Sequence, residues 1–434
     1  MTLLAHGVGT RADLPIPVTL AILGAAVAVL VSFLALGLLW PKPRLRGAAA
    51  GRPLPPGLQR VLDSPALRIT LRVAALALAA LVLAVALFGP TDPPANLAPW
   101  AFFITFWVGL VPASLLLGPV WRVLNPLRAV HGVFARVTGP APGADRLEAL
   151  GYWPAAGSLL AFCWFELAYP ERSTPTNVGT FLVVYSIVQL LAALWFGAGW
   201  FARGDGFEVY STLLGRLCPL GRRADGRLVL RSPLDGVAAL ANTRGLAAVV
   251  VVLVGTTAFD GLTRTTFWQN GPGISGDARS LPQLVGLTVM VALVGGLYGL
   301  ATLVAGRVAG IENGPAVYAH SVIPIAAGYA IAHYFSLLLL DGQLTYILAS
   351  DPFQHGLNLF GTAANAVDYT AVSPRTISLV QVLAIVAGHV LGVVLAHDRA
   401  VTVSRGRKAR TAQYPLLLVM VAFTIGGLLL LLGG

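Results

Sequence analysis

Three ionisable residues stand inside long apolar runs of this chain: Glu166, Asp260 and His333. Such groups are costly at hydrocarbon depth, so they face a protein interior or a water-filled cavity rather than lipid. Two carboxylates and an imidazole that met could hold a divalent metal ion with open coordination positions. They could equally form a proton relay, or a general base with an orienting acid. The bland alternative is that each lies near an interface and bonds a neighbouring helix or reaches water. Asp341, where the apolar run that holds His333 stops, and His355, in an outer segment able to approach the trio, are further candidate metal ligands.

A second histidine set is His320, His389 and His397. Histidines on facing helices can bind haem b. His389 and His397 are eight residues apart and project only about 80° from each other, so no pair has convincing haem geometry. His397 reads as a helix end, because Asp398 and Arg399 follow it. His6 and His355 lie in outer segments, within reach of the trio, and the default reading of each is a surface histidine.

Several motifs are absent: a Walker A loop, H-E-x-x-H, G-x-S-x-G, C-x-x-C-H and an H-x-H pair. An ATP-driven pump, a zincin, a serine-hydrolase elbow and a c-type haem site therefore have no support.

The elements that must position these residues are membrane helices. Of 434 residues, 56% are hydrophobic and 11% charged, about half the charge of a soluble protein. Several apolar runs reach the ~20 residues that span a hydrocarbon core. The fold class is all-α, a polytopic membrane protein, with the whole chain 1–434 forming one integral membrane domain. Ten helices are expected: Pro17–Trp40, Ile69–Gly89, Pro99–Trp121, Tyr152–Tyr169, Val178–Phe201, Leu246–Thr263, Leu284–Gly306, Ala316–Leu340, Ile377–His397 and Pro415–Leu432. No credible strand is expected. Gly295 and Gly299 form a small-xxx-small pair suited to close helix contact.

Basic residues divide unequally between alternate loops. One set includes Lys42, Arg44, Arg46, Arg122, Arg128, Arg222, Arg223, Arg307, Arg405 and Lys408. The opposite set holds only Arg11, Arg172, Arg264, Arg279 and Arg375. The positive-inside rule makes the basic loops cytoplasmic and both termini external, in a plasma membrane. It also accounts for the net charge of +11, so nucleic acid is not an expected partner. The expected partners are the lipid bilayer and a small-molecule substrate. Counted from their basic-side ends, Glu166, Asp260 and His333 stand roughly 21 to 25 Å up, at 1.5 Å per residue.

Residues 41–68 read as a cytoplasmic Pro/Gly/Arg linker with no reason to fold alone. The stretches RVLNPLRAVHGVFARV and FEVYSTLLGRLCPLGRR read as interfacial helices whose arginines reach headgroups. Residues 341–376 form the long extracytoplasmic loop, a length typical of lids and binding loops. Cys163 and Cys218 fall in different compartments and cannot pair. No secretory signal peptide is evident in Met1–Pro15.

The stretches AHYFSLLLLDGQ, SDPFQHGLNLFGTA and VQVLAIVAGHVLGVVLAHDRA, with HGVGTRADLPIPVTLAILGAAVAVLVSFLALGLLW near the start, resemble actinobacterial multi-pass membrane proteins named fenitrothion hydrolase. The resemblance covers most of the chain. It implies hydrolysis of an organophosphate ester with release of a phenol, and it carries no catalytic residue set. It also implies an apolar segment ahead of His6, either lost or lying upstream. The expected function is thus an organophosphate-type hydrolase with a polar site in the outer half of the bilayer. Its water would be activated by metal or carboxylate. A proton-coupled secondary transporter and a non-catalytic assembly factor for a membrane complex are the alternatives.

Overall fold

The computed structural model describes residues 17–271, 280–404 and 406–432. His6, Arg11, Arg279 and Arg405 lie outside them. Apolar runs rich in Leu, Ala and Val cross hydrocarbon as helices because a helix satisfies its own backbone polar groups. In chain order these are α1 (Val18–Leu39), α2 (Pro65–Phe88), α3 (Leu97–Leu117), α4 (Trp153–Ala168) and α5 (Pro175–Phe196). They continue as α6 (Leu246–Thr263), α7 (Leu281–Ala309), α8 (Gly314–Leu339), α9 (Pro374–Val403) and α10 (Tyr414–Leu432). All but α4 are long and apolar enough to cross a membrane, nine helices among the described residues.

Helix α4 has 16 residues, about 24 Å at 1.5 Å per residue. It packs against α6 and α7 within the bundle. The strand pairing shows that it counts as a crossing. Strand β1 (Arg52–Pro53) follows α1. It pairs with β3 (Leu228–Leu230), which follows α5, and β2 (Leu220–Arg222) flanks β3. The loops after α1 and α5 therefore share one end of the bundle, and an even number of crossings separates them. Helices α2, α3 and α5 supply three; α4 supplies the fourth.

Those short strands leave no periodic pattern to read, since each is two or three residues long and alternation needs at least four. They tie down part of the linker. The Arg46 backbone N–H donates to Asp235 Oδ1 at 2.7 Å, and that of Arg44 donates to Asp398 Oδ1 at 2.8 Å. His397 and Asp398 lie inside α9 rather than at its end. They hold the first loop: His397 Nε2 is 2.9 Å from the Trp40 carbonyl, and the Trp40 indole donates to Asp398 Oδ1 at 2.9 Å.

The axis of the bundle is α8. Inside the protein lies 72% of its apolar window, against 11% for the window that contains α2. Helix α9 lies against α8 along a seam of glycines. A Cβ at Gly328 would collide with the Ala384 carbonyl, and one at Gly388 would lie 2.6 Å from the Pro324 oxygen. The expected pair on α7 divides: Gly295 has Val251 within contact distance, while Gly299 faces open space.

Two short helices behave differently from expectation. Gly206–Leu214 is buried almost throughout rather than interfacial, because Phe207 and Tyr210 pack into an aromatic cluster with Phe106, Trp107 and Phe162. Its N-cap, Asp205, accepts from Asn125 Nδ2 at 2.7 Å. Asn125 in turn caps the other short helix, Pro126–Thr138. Arg128 does not reach for headgroups; it forks onto the buried Glu208 carboxylate, with two bonds of 2.6 Å.

Candidate functional site

Asp260 lies in the last turn of α6, and Arg264 follows at i+4, just past the helix end. That spacing puts both side chains on one helix face. His333 lies on α8, which packs against α6. The three converge. His333 Nε2 is 2.6 Å from Asp260 Oδ2, and Arg264 Nη2 is 2.9 Å from the same His333 nitrogen. Arg264 Nη2 is also 3.4 Å from Asp260 Oδ2. The Tyr334 hydroxyl donates to Asp260 Oδ2 at 3.4 Å, and the Tyr329 ring stacks on the imidazole at 6.1 Å. The His333 side chain is fully buried, and its Nδ1 has no partner.

One nitrogen thus faces an acceptor and a donor together. If Nε2 carries a proton, it donates to the carboxylate. If Nε2 is bare, it accepts from the guanidinium, and a proton on Asp260 bridges the 2.6 Å contact. With a proton on Nδ1 in both, the two arrangements differ by one proton moved across one short hydrogen bond: imidazolium beside carboxylate in the first, neutral imidazole beside carboxylic acid in the second.

Glu166 on α4 is not part of this contact. It is half-buried and lines a crevice with Trp107, Cys163, Tyr210, Thr257 and Tyr334. The crevice has room for about one water molecule. Trp107 comes from a π-helical stretch of α3, Trp100–Val108, a wider coil that recurs at functional sites. Its indole N–H is buried without a partner. Tyr334 is the one residue common to the crevice and the Asp260 contact.

The residues expected as metal ligands do not assemble into one set. Among the described residues, no group of three or more His, Cys, Asp or Glu side chains could hold a metal. The third member beside Asp260 and His333 is a guanidinium, whose positive charge opposes a divalent ion. His355 is exposed in the 341–376 loop and stacks on Phe353 at 5.9 Å. Asp341 is buried just past α8, with neither carboxylate oxygen partnered. That burial pushes its carboxyl up to about 6. His397 has both ring nitrogens engaged, by the Trp40 carbonyl and by Gln413 Oε1 at 2.8 Å, so neither is available to haem iron.

Arg264 and Tyr334 are the functional residues that sequence reasoning missed. The i+4 spacing from Asp260 was the available signal for Arg264. Tyr334 adjoins His333 in sequence and projects off its face. It meets Asp260 only because α6 approaches between those faces. No protein-family model matches this chain, and no curated protein or solved structure matches it either.

Proposed function

We propose that this chain passes protons across the plasma membrane, as a proton-coupled transporter does, with the Asp260–His333 pair as its proton-binding site and with proton flux measurable without a co-substrate. The observation that carries this reading is the shared His333 nitrogen, 2.6 Å from a carboxylate oxygen and 2.9 Å from a guanidinium. Intramembrane carboxylate–histidine pairs suit proton relays. A crevice with room for about one water suits a proton or small ion better than a bulky ester. The uneven distribution of arginines supports cytoplasmic basic loops and external termini.

The test is proton flux in proteoliposomes carrying an entrapped pH dye, driven by a potassium diffusion potential. The wild-type protein should acidify the lumen, and Asp260→Asn should not. Equal flux from both would overturn the reading.

The hydrolase implied by the resemblance is a second reading. The observation that favours it is an imidazole held by a carboxylate with its other nitrogen free, which suits a general base for water. Release of phenol from a phosphotriester by purified protein, lost in His333→Ala, is the expected result under that reading. Undiminished turnover in the variant would remove it.

A further inference from the structure

Glu166 is a carboxylate inside the bundle with no ion pair to balance it. It is half-buried on α4, and among the described residues it takes no hydrogen bond and forms no salt bridge. The charge that acts on it most is that of Asp260, which has the same sign; Arg172 and Arg264 act more weakly. Arg264 is already engaged by Asp260 and His333. A lone carboxylate at this depth is costly, and it persists where a proton or a cation neutralises it.

The crevice beside Glu166 presents mainly acceptors. Thr256 Oγ1 donates its proton to the Val252 carbonyl at 2.8 Å, and Thr257 Oγ1 donates to the Leu253 carbonyl at 2.7 Å. The Tyr334 hydroxyl donates to Asp260. All three line the crevice with Glu166. Their protons are spent, so their oxygens offer lone pairs. Tyr210 adds a further hydroxyl, and Trp107 an aromatic wall of the kind whose face attracts a cation. Trp107 also brings an unpartnered indole N–H. A carboxylate has two oxygens and about four acceptor sites, enough for that N–H and a cation together. The room is that of about one water molecule, which suits a single ion stripped of its hydration shell. One carboxylate balances one positive charge, whereas divalent ions draw on more.

We propose that the crevice between α3, α4, α6 and α8 binds one dehydrated monovalent cation of sodium size, with Glu166 as its charge partner and the oxygens of Thr256, Thr257 and Tyr334 around it. Protein oxygens replace the water that the ion gives up, as they do in ion-selective filters. The site goes beyond proton transfer at Asp260 and His333 and does not depend on it.

Equilibrium binding of radiolabelled sodium to the purified full-length protein in detergent tests the site, at alkaline pH so that protons compete least. The wild-type protein should bind a single ion per chain, released by excess unlabelled sodium chloride and not by choline chloride, whose cation is too large for the crevice. Glu166→Gln should weaken binding at least a hundredfold while the protein still elutes as a single folded species. If that variant does not fold, Thr257→Val decides: it should weaken binding severalfold, and unchanged affinity overturns the site. No saturable binding by the wild-type protein overturns it, since Glu166 then simply holds a proton. Release by choline chloride reduces the effect to ionic screening and overturns it. Wild-type affinity in a folded Glu166→Gln protein overturns it as well, because the ion then lies elsewhere.

Discussion

Arg264 and His333 are 69 residues apart in sequence, yet the guanidinium of one lies 2.9 Å from the imidazole nitrogen of the other. That nitrogen also touches Asp260, so the acid and the arginine depend on each other. Asp260→Asn removes the charge that balances Arg264 and should cost about 3 kcal/mol. Asp260→Asn combined with Arg264→Met removes both charges and should recover most of that loss. Thermal unfolding of Asp260→Asn, Arg264→Met and the double variant in detergent gives the coupling energy. Additive losses would show that the two side chains are independent.

Glu166 shares its crevice with Tyr334, which bonds Asp260, and is not among the groups on the shared His333 nitrogen. Glu166→Gln should therefore reduce proton flux by less than tenfold, whereas Asp260→Asn should reduce it a hundredfold or more. The same proteoliposome assay ranks them, and an equal loss would place Glu166 inside the proton-binding contact.

Asp341 gives a pH dependence with a definite sign. Burial raises its carboxyl to about 6 in the folded protein, above the ~3.9 of an unfolded chain. Its contribution to stability is complete below about pH 4 and is lost as pH rises through 6. Asp341→Asn should thus stabilise the protein above pH 6, on the order of 2 kcal/mol, and have little effect at pH 4. Melting curves at the two pH values check this; a benefit that is equal at both would be the wrong sign of evidence for a titrating Asp341.

The Arg128–Glu208 fork holds the two short helices together in a buried setting. Glu208→Gln keeps the shape but strands the guanidinium, and should cost about 3 kcal/mol. Glu208→Gln with Arg128→Met should be closer to wild type. Unfolding in detergent separates the cases, and a neutral single variant would mean that Arg128 swings out to solvent.

Topology is open to a labelling experiment. Ser232, in the loop after α5, and Ala364, in the 341–376 loop, are both exposed. In a background lacking Cys163 and Cys218, a cysteine at position 364 should react with an impermeant thiol reagent on intact cells, and one at position 232 should not. Reaction at both positions would break the proposed orientation.

The chain by itself determined the all-α membrane architecture, because apolar runs of hydrocarbon length admit only one backbone solution. It also singled out Asp260 and His333, since charge and imidazole inside such runs stand out one residue at a time. Arg264 was hidden in plain view: an arginine at a helix end looks like any interfacial charge until a second helix brings a histidine to it. Tertiary structure decided the rest. Equal height did not make Glu166 a partner of Asp260, because height leaves the rotation of each helix about its axis undetermined. The same freedom, settled by the glycine seam between α8 and α9, decided which turns of those helices face each other. The strands that tie the first linker to the loop after α5 are two or three residues long, too short to leave a pattern; only the folding of the bundle brings them together.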